Sequence, residues 1–121
     1  MKTEVQWLSA PEAHDYPAAA SYLTLLHDAA SVVALVKKLE AAPVTQFKAK
    51  DIFRASGLPL LGVNNSHVEK DRQKIVDGNK LSPILLVRDS TFGRLVIADG
   101  YHRLCATYLF DENAVIPCKI V

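Results

Sequence analysis

Two short, fully apolar runs constrain this chain more than any other feature: ILLV at 84–87 and LVIA at 95–98, separated by RDSTFGR with a glycine near the end of the loop. A strand that is apolar at every position, rather than at alternate ones, has both faces covered, so the pair is predicted to form buried neighbouring strands joined as a hairpin. The C-terminal segment reads differently. Ile116, Cys118 and Ile120 alternate with Pro117, Lys119 and Val121, which predicts one buried and one partly open face, as in a strand nearer the sheet edge. With helical segments on either side, these runs predict an α+β fold: a small mixed β-sheet with a helical cover.

The helical segments announce themselves by caps and breakers. Ser9-Ala-Pro-Glu12 fits a capping box and predicts a short helix from about residue 10, interrupted at Pro17. A second helix is predicted from Pro17 to Leu26, because proline suits a first turn and Tyr22, Leu25 and Leu26 share a face. Asp28 can cap a third, in which Val32, Val33, Leu35, Val36 and Leu39 form an apolar stripe before Pro43 stops it. Residues 1–43 are therefore expected to form a helical layer, with the remaining core at 44–121. In that core FKAKDIFRASGLPLL reads as a short strand and a helical turn ending at Gly57, and Ser66-His-Val-Glu69 as a second capping box opening a helix from His67 to Asp77 before Gly78.

At 121 residues the chain has the size of one domain. Half its residues are apolar and 22% are charged, and no apolar run approaches the roughly 20 residues of a membrane helix. Its N-terminal stretch, with an acid at position 4 and no long apolar core, is a poor secretory signal, which favours the cytoplasm. Fourteen basic residues against thirteen acidic ones leave a formal charge of +1, so the concentrated positive charge that phosphate-backbone binding draws on is missing and nucleic acid is not an expected partner. Cys105 and Cys118 have neither the number nor the spacing of a disulfide framework and are expected as reduced core thiols. His102 and Cys105 share a helical face and could be imagined around zinc with Cys118, but no fourth ligand is evident and no tightly bound metal is expected.

The stretch IADGYHRLCA at 97–106 carries the candidate chemistry. If the strand ends at Ala98, Asp99 sits at the N-cap and Gly100, Tyr101 and His102 form the first turn of a helix to about Phe110. The first N–H groups of a helix lack intrahelical acceptors and, with the helix dipole, favour an anion. Gly100 removes the Cβ that would hold a phosphate off the backbone, Arg103 supplies a forked permanent cation, and His102 can donate or transfer a proton. The plainer reading stands beside this one: Asp99 caps the helix, Gly100 permits the turn, and His102 and Arg103 are solvated.

From Phe47 to Val121 the order of motifs resembles the ParB/sulfiredoxin superfamily: FKAKDIFRASGLPLL, a helix, LSPILLVRD, LVIADGYHRLCA, VIPCKIV. The resemblance implies that fold, with an added N-terminal helical layer, and a Gly-x-[His/Arg]-Arg turn that binds nucleotide phosphates, here Gly100, Tyr101, His102 and Arg103. Sulfiredoxins place their catalytic cysteine where this chain has Tyr101, so sulfinic-acid reduction is not implied. ParB proteins carry Gly-Glu-Arg-Arg and a following DNA-binding domain that this segment does not match. The Asp-Gly-x-His-Arg form is closer to superfamily members that use a nucleoside di- or triphosphate in small-molecule phosphoryl transfer, such as free-serine kinases.

The resemblance thus implies a nucleotide such as ATP, ADP or CTP, or a small phosphorylated ligand, with Mg²⁺ where phosphoryl groups move. Asp99 and His102 are the catalytic candidates, Asp99 also as a Mg²⁺ contact, and Arg54 is a further phosphate contact by analogy with an arginine in that region of sulfiredoxins. Glu69, Asp51 and Asp71 are weaker carboxylate candidates, and Asn64 and Asn65 line the mouth or build a turn. The alternative expectation is a non-catalytic regulatory module with a vestigial anion site, docking on a partner or on its own copy through the N-terminal helices.

Overall fold

The computed structural model describes residues 4–91 and 93–121; residues 1–3 of the expected helical layer and Phe92 of the hairpin loop lie outside the described residues. Its elements run α1 (Asp15–Leu23), α2 (Ala29–Ala41), β1 (Thr45–Lys48), α3 (Ala49–Ser56), α4 (Ser66–Val76), β2 (Ile84–Asp89), β3 (Arg94–Asp99), α5 (Tyr101–Phe110) and β4 (Val115–Ile120). The four strands form one mixed sheet in the order β1-β4-β2-β3, parallel between β2 and β4 and antiparallel elsewhere. The α+β class is as the sequence predicts.

The apolar runs form the predicted hairpin, β2 with β3, and the reason for their unbroken hydrophobicity is visible in the layers. Successive strand residues face opposite sides. On one side Ile84, Leu86 and Ile97 pack with Ile116 and Cys118 beneath Ala49 and Ile52 of α3 and Leu104 of α5. On the other, Leu85, Val87 and Ala98 pack beneath Ala19 and Leu23 of α1 and Val32 and Leu39 of α2. Helix α4 lies against α5, where Val68, Ile75 and Leu81 meet Cys105 and Ala106. Both cysteines are fully buried and unpaired.

Four local expectations are corrected. No helix starts near residue 10: the backbone there runs alongside Leu81, which exchanges hydrogen bonds with Gln6 and Leu8 at 2.8 Å each. The Glu12 N–H is taken by Asp15 Oδ2 at 3.0 Å and Ser82 Oγ at 3.1 Å, partners that a local capping box cannot anticipate. One helix, α1, then starts at Asp15 and takes Pro17 into its first turn, where a missing N–H removes no intrahelical bond; it ends at Leu23 and leaves Leu25 79% exposed. In α4 the cap is Asn65, whose side chain accepts from His67 N at 3.0 Å and Val68 N at 3.2 Å, while Glu69 is bound to Arg72 at 2.7 and 2.8 Å. Finally, β4 is an interior strand rather than one nearer the edge. Lys119 misleads because its stem is buried and its ammonium reaches past the sheet to donate to the Glu40 carbonyl in the last turn of α2, at 2.8 Å.

Other expectations match. Asp28 caps α2 by accepting from Ser31 N at 2.8 Å, and α3 ends at Gly57, whose φ of +67° is the left-handed cap that glycine adopts without strain. Among the described residues no helix is long and apolar enough to cross a membrane.

Candidate functional site

The turn from β3 into α5 begins one residue later than the sequence suggests. Asp99 closes β3, and Gly100 is the N-cap, at φ +107° and ψ 17° with no side-chain cap. The helix's first internal bond runs from Leu104 N–H to the Gly100 carbonyl at 3.0 Å, so the N–H groups of Tyr101, His102 and Arg103 lie ahead of the ladder. The glycine also has a different reason from the one expected. A Cβ at residue 100 would collide with Ile84 Cγ2 and lie 2.8 Å from Ile84 Cβ and Arg103 Nη2; the Cβ direction points into the protein, not toward open solvent.

Asp99 is consequently free of capping duty and pairs one turn along, accepting from Arg103 Nη2 at 2.8 Å. The same guanidinium extends Nη1 toward Asp15 Oδ1 at 3.5 Å. Asp15 stands at the first position of α1 with its side chain only 3% exposed. Its other oxygen accepts from the Ser82 hydroxyl and from Glu12 N–H. The arginine of the turn is therefore held between Asp99, four residues before it, and Asp15, 88 residues before it, with Ser82 donating in turn to Asp15. Arg103 Nε is buried and has no partner among the described residues.

The two acids titrate in opposite directions. Burial alone would raise the Asp15 carboxyl, but the Ser82 hydroxyl, the Arg103 charge and the Glu12 N–H together hold it below the usual carboxylate value. For Asp99 burial dominates, Arg103 offsets it in part, and the neighbouring Asp15 charge adds to the rise, so its carboxyl sits above the usual value. Both carboxylates face the one Arg103 guanidinium.

The remaining side chains of the turn face α4 and the loop before it. The His102 ring lies 4.9 Å from that of His67, centroid to centroid, and 5.7 Å from that of Tyr101. Burial and the His67 ring lower the His102 pKa, with Asp71 acting against them, which favours a neutral imidazole near pH 7. Tyr101 donates its hydroxyl to the Pro59 carbonyl and so ties the helix start to the loop; burial raises its pKa.

A polar cleft of about 280 Å³ opens over this turn. Asp99, Gly100, His102 and Arg103 form one wall, Asp71, Lys74 and Lys80 a second, and Glu12, His14 and Ser82 a third. Of the residues singled out in the sequence, the cleft gathers Asp99, Gly100, His102, Arg103 and Asp71. Arg54 is not among its lining residues: it is exposed on α3, with Nη2 3.6 Å from Asp51. Asn65 is spent as the α4 cap and Glu69 on Arg72. His102, Cys105 and Cys118 do not converge, since Cys105 packs between α4 and α5 and Cys118 beneath α3, and among the described residues no group of three or more His, Cys, Asp or Glu could hold a metal ion. Asp15, Ser82, Lys74, Lys80 and His14 were not singled out, because nothing local marks them; only the fold brings them to the turn.

Compared with known proteins, the chain matches no family model, no curated protein and no solved structure.

Proposed function

We propose that this chain is a ParB/sulfiredoxin-like domain that binds a nucleotide or other phosphate in the cleft over Asp99–Arg103. One observation carries the reading: the start of α5, where the N–H groups lie ahead of the helical ladder, borders a polar cleft lined by His102, Arg103, Lys74, Lys80 and His14. The phosphates would take the helix start and the two lysines, which are exposed and placed to neutralise charge. Where phosphoryl transfer or nucleotide hydrolysis follows, His102, neutral near pH 7, and Asp99 are the groups at hand to accept a proton. Asp99 already has a guanidinium on Oδ2, so Mg²⁺ enters this reading with the nucleotide phosphates rather than as a resident ion. Two buried thiols with no disulfide are consistent with a cytoplasmic setting.

A second reading has its own observation. Tyr22, Leu25, Leu26 and Val33 stand 43–79% exposed on the helical layer, and Arg103 is held by internal carboxylates. Together these suit a non-catalytic module that docks through α1 and α2, with the anion site vestigial.

Thermal shift against ATP, ADP, CTP, GTP and inorganic phosphate, each with and without Mg²⁺, separates the two, because a ligand that binds only the folded state raises its midpoint. Lys80→Ala and His102→Ala should lower the shift given by the active ligand while leaving the unliganded midpoint nearly unchanged; Arg103→Ala is a poorer probe, since it strips the partner from two carboxylates. No shift at millimolar ligand leaves the interaction module as the better account.

A further inference from the structure

Sharing no residue with the polar cleft, a second concavity of about 430 Å³ lies between α3 and the hairpin end of the sheet. It exists because α3 is only eight residues, roughly 12 Å of helix, and leaves that end of the sheet face unroofed. The lining is overwhelmingly apolar: Phe47 of β1, Ile52 of α3, Leu86 of β2, Leu95 of β3 and Ile120 of β4 contribute, one from every strand. Such a volume and lining are those of a small-molecule site.

The rim carries two acids and two arginines, and Arg94 stands across the ladder from Asp89. Asp51 has Arg54 at 3.6 Å, and Asp89 is used inside the hairpin, where its Oδ1 accepts from Thr91 N–H at 3.1 Å. Arg88, directly across the ladder from Leu95, and Arg94 are both exposed, and among the described residues neither is in an ion pair with an acid. Two arginines stand at the mouth of an apolar trough, each with a fork of donors suited to a carboxylate.

We infer that this groove binds a free amphipathic carboxylate, its hydrocarbon tail over Phe47, Ile52, Leu86, Leu95 and Ile120 and its head at Arg88 and Arg94. A neutral apolar molecule would leave the two guanidiniums unused. A wholly polar anion would leave the floor uncovered and would be drawn instead to the lysine-lined cleft at the start of α5.

The probe is a series of straight-chain carboxylates, hexanoate, octanoate and decanoate, each kept below its micellar concentration, titrated into the full chain and followed by amide chemical shifts. The expected result is saturable binding that perturbs Leu86, Arg88, Leu95 and Ile120, with affinity rising about twofold to fourfold per added methylene. Arg88→Gln and Arg94→Gln should each weaken octanoate about tenfold and leave octan-1-ol unaffected. Both side chains are exposed, so the variants keep the fold, which the same spectra check. Absence of saturable binding, equal affinity for octan-1-ol and octanoate, or perturbations confined to the polar cleft would each overturn the assignment. Because the two sites share no residue, none of those results bears on phosphate binding, and a failed nucleotide screen does not bear on this groove.

Discussion

Gly100→Ala tests whether the start of α5 is built as described. The substitution places a Cβ on a residue at φ +107°, outside the wells that L-residues favour, at a cost of about 1–3 kcal/mol. It also drives a methyl into Ile84, which is fully buried in the sheet core, and overpacking of this kind costs about 1–3 kcal/mol. Alanine's stiffer unfolded chain returns about 0.4–1 kcal/mol, so the net loss should be about 1–5.5 kcal/mol, a fall in Tm on the order of 10 °C for a chain of this size. Urea unfolding followed by the single tryptophan, Trp7, which packs against the core clusters, measures the change. Pairing the variant with Ile84→Ala separates the parts: the collision term should be recovered as a favourable coupling of about 1 kcal/mol or more, whereas the backbone strain stays. A loss below about 0.5 kcal/mol would mean that the glycine is not required by the internal fit, and would return it to the role of admitting a ligand to the backbone.

Four further outcomes are expected. Asp15→Asn should cost about 2–4 kcal/mol near pH 7, because it unbalances Arg103 and the Ser82 and Glu12 hydrogen bonds. The wild-type carboxyl is held below its unfolded value, so its contribution is present above about pH 4 and lost as pH falls through the folded pKa; the gap between wild type and variant should close below that point, and a gap independent of pH would contradict the assignment. Asp99 has the opposite sign, being raised in the fold, so its own contribution falls as pH rises from about 4 through its folded pKa, and Asp99→Asn should flatten that part of the stability profile. Asn65→Ala should remove about 1 kcal/mol while Ser66→Ala is nearly neutral in denaturant melts, the reverse of what a Ser66 capping box requires. Cys105 and Cys118 should resist thiol reagents until the chain unfolds, with the Cys118 pKa pushed up to about 11 by burial; rapid labelling of either in the folded protein would contradict their placement.

What the sequence makes legible is whatever a residue does with its near neighbours. The hairpin, the Asp28 cap and the Gly57 stop depend on a handful of consecutive residues, and each is where the sequence predicts. The capping box at Ser9 fails because Glu12 N–H has better acceptors, one of them Ser82, 70 positions away. The one at Ser66 fails by a single residue, since Asn65 offers an equally good oxygen from an extended backbone. Pro117 and Lys119 make β4 look like an edge because alternation reports the character of a side chain, not where its ammonium finally goes. The DGYHR turn is legible as a turn, yet its setting is not, for Asp15, Ser82, Lys74 and Lys80 have no pattern linking them to Arg103.

Asp15 decides how the two parts of the chain relate. Had the helical layer only covered Leu85, Val87 and Ala98, any apolar surface of similar shape could replace it. But its first helical residue reaches through to the guanidinium of the turn, and without that carboxylate Asp99 alone would face a cation whose side chain is only 15% exposed. The layer therefore supplies one of the two carboxylates that hold the Arg103 guanidinium, as well as completing the core. Under the proposed phosphate reading, an anion entering the cleft would meet an arginine already held by two acids, one with its pKa raised and one with it lowered, so the binding proposed for this turn would be set as much by α1 as by the residues of the motif.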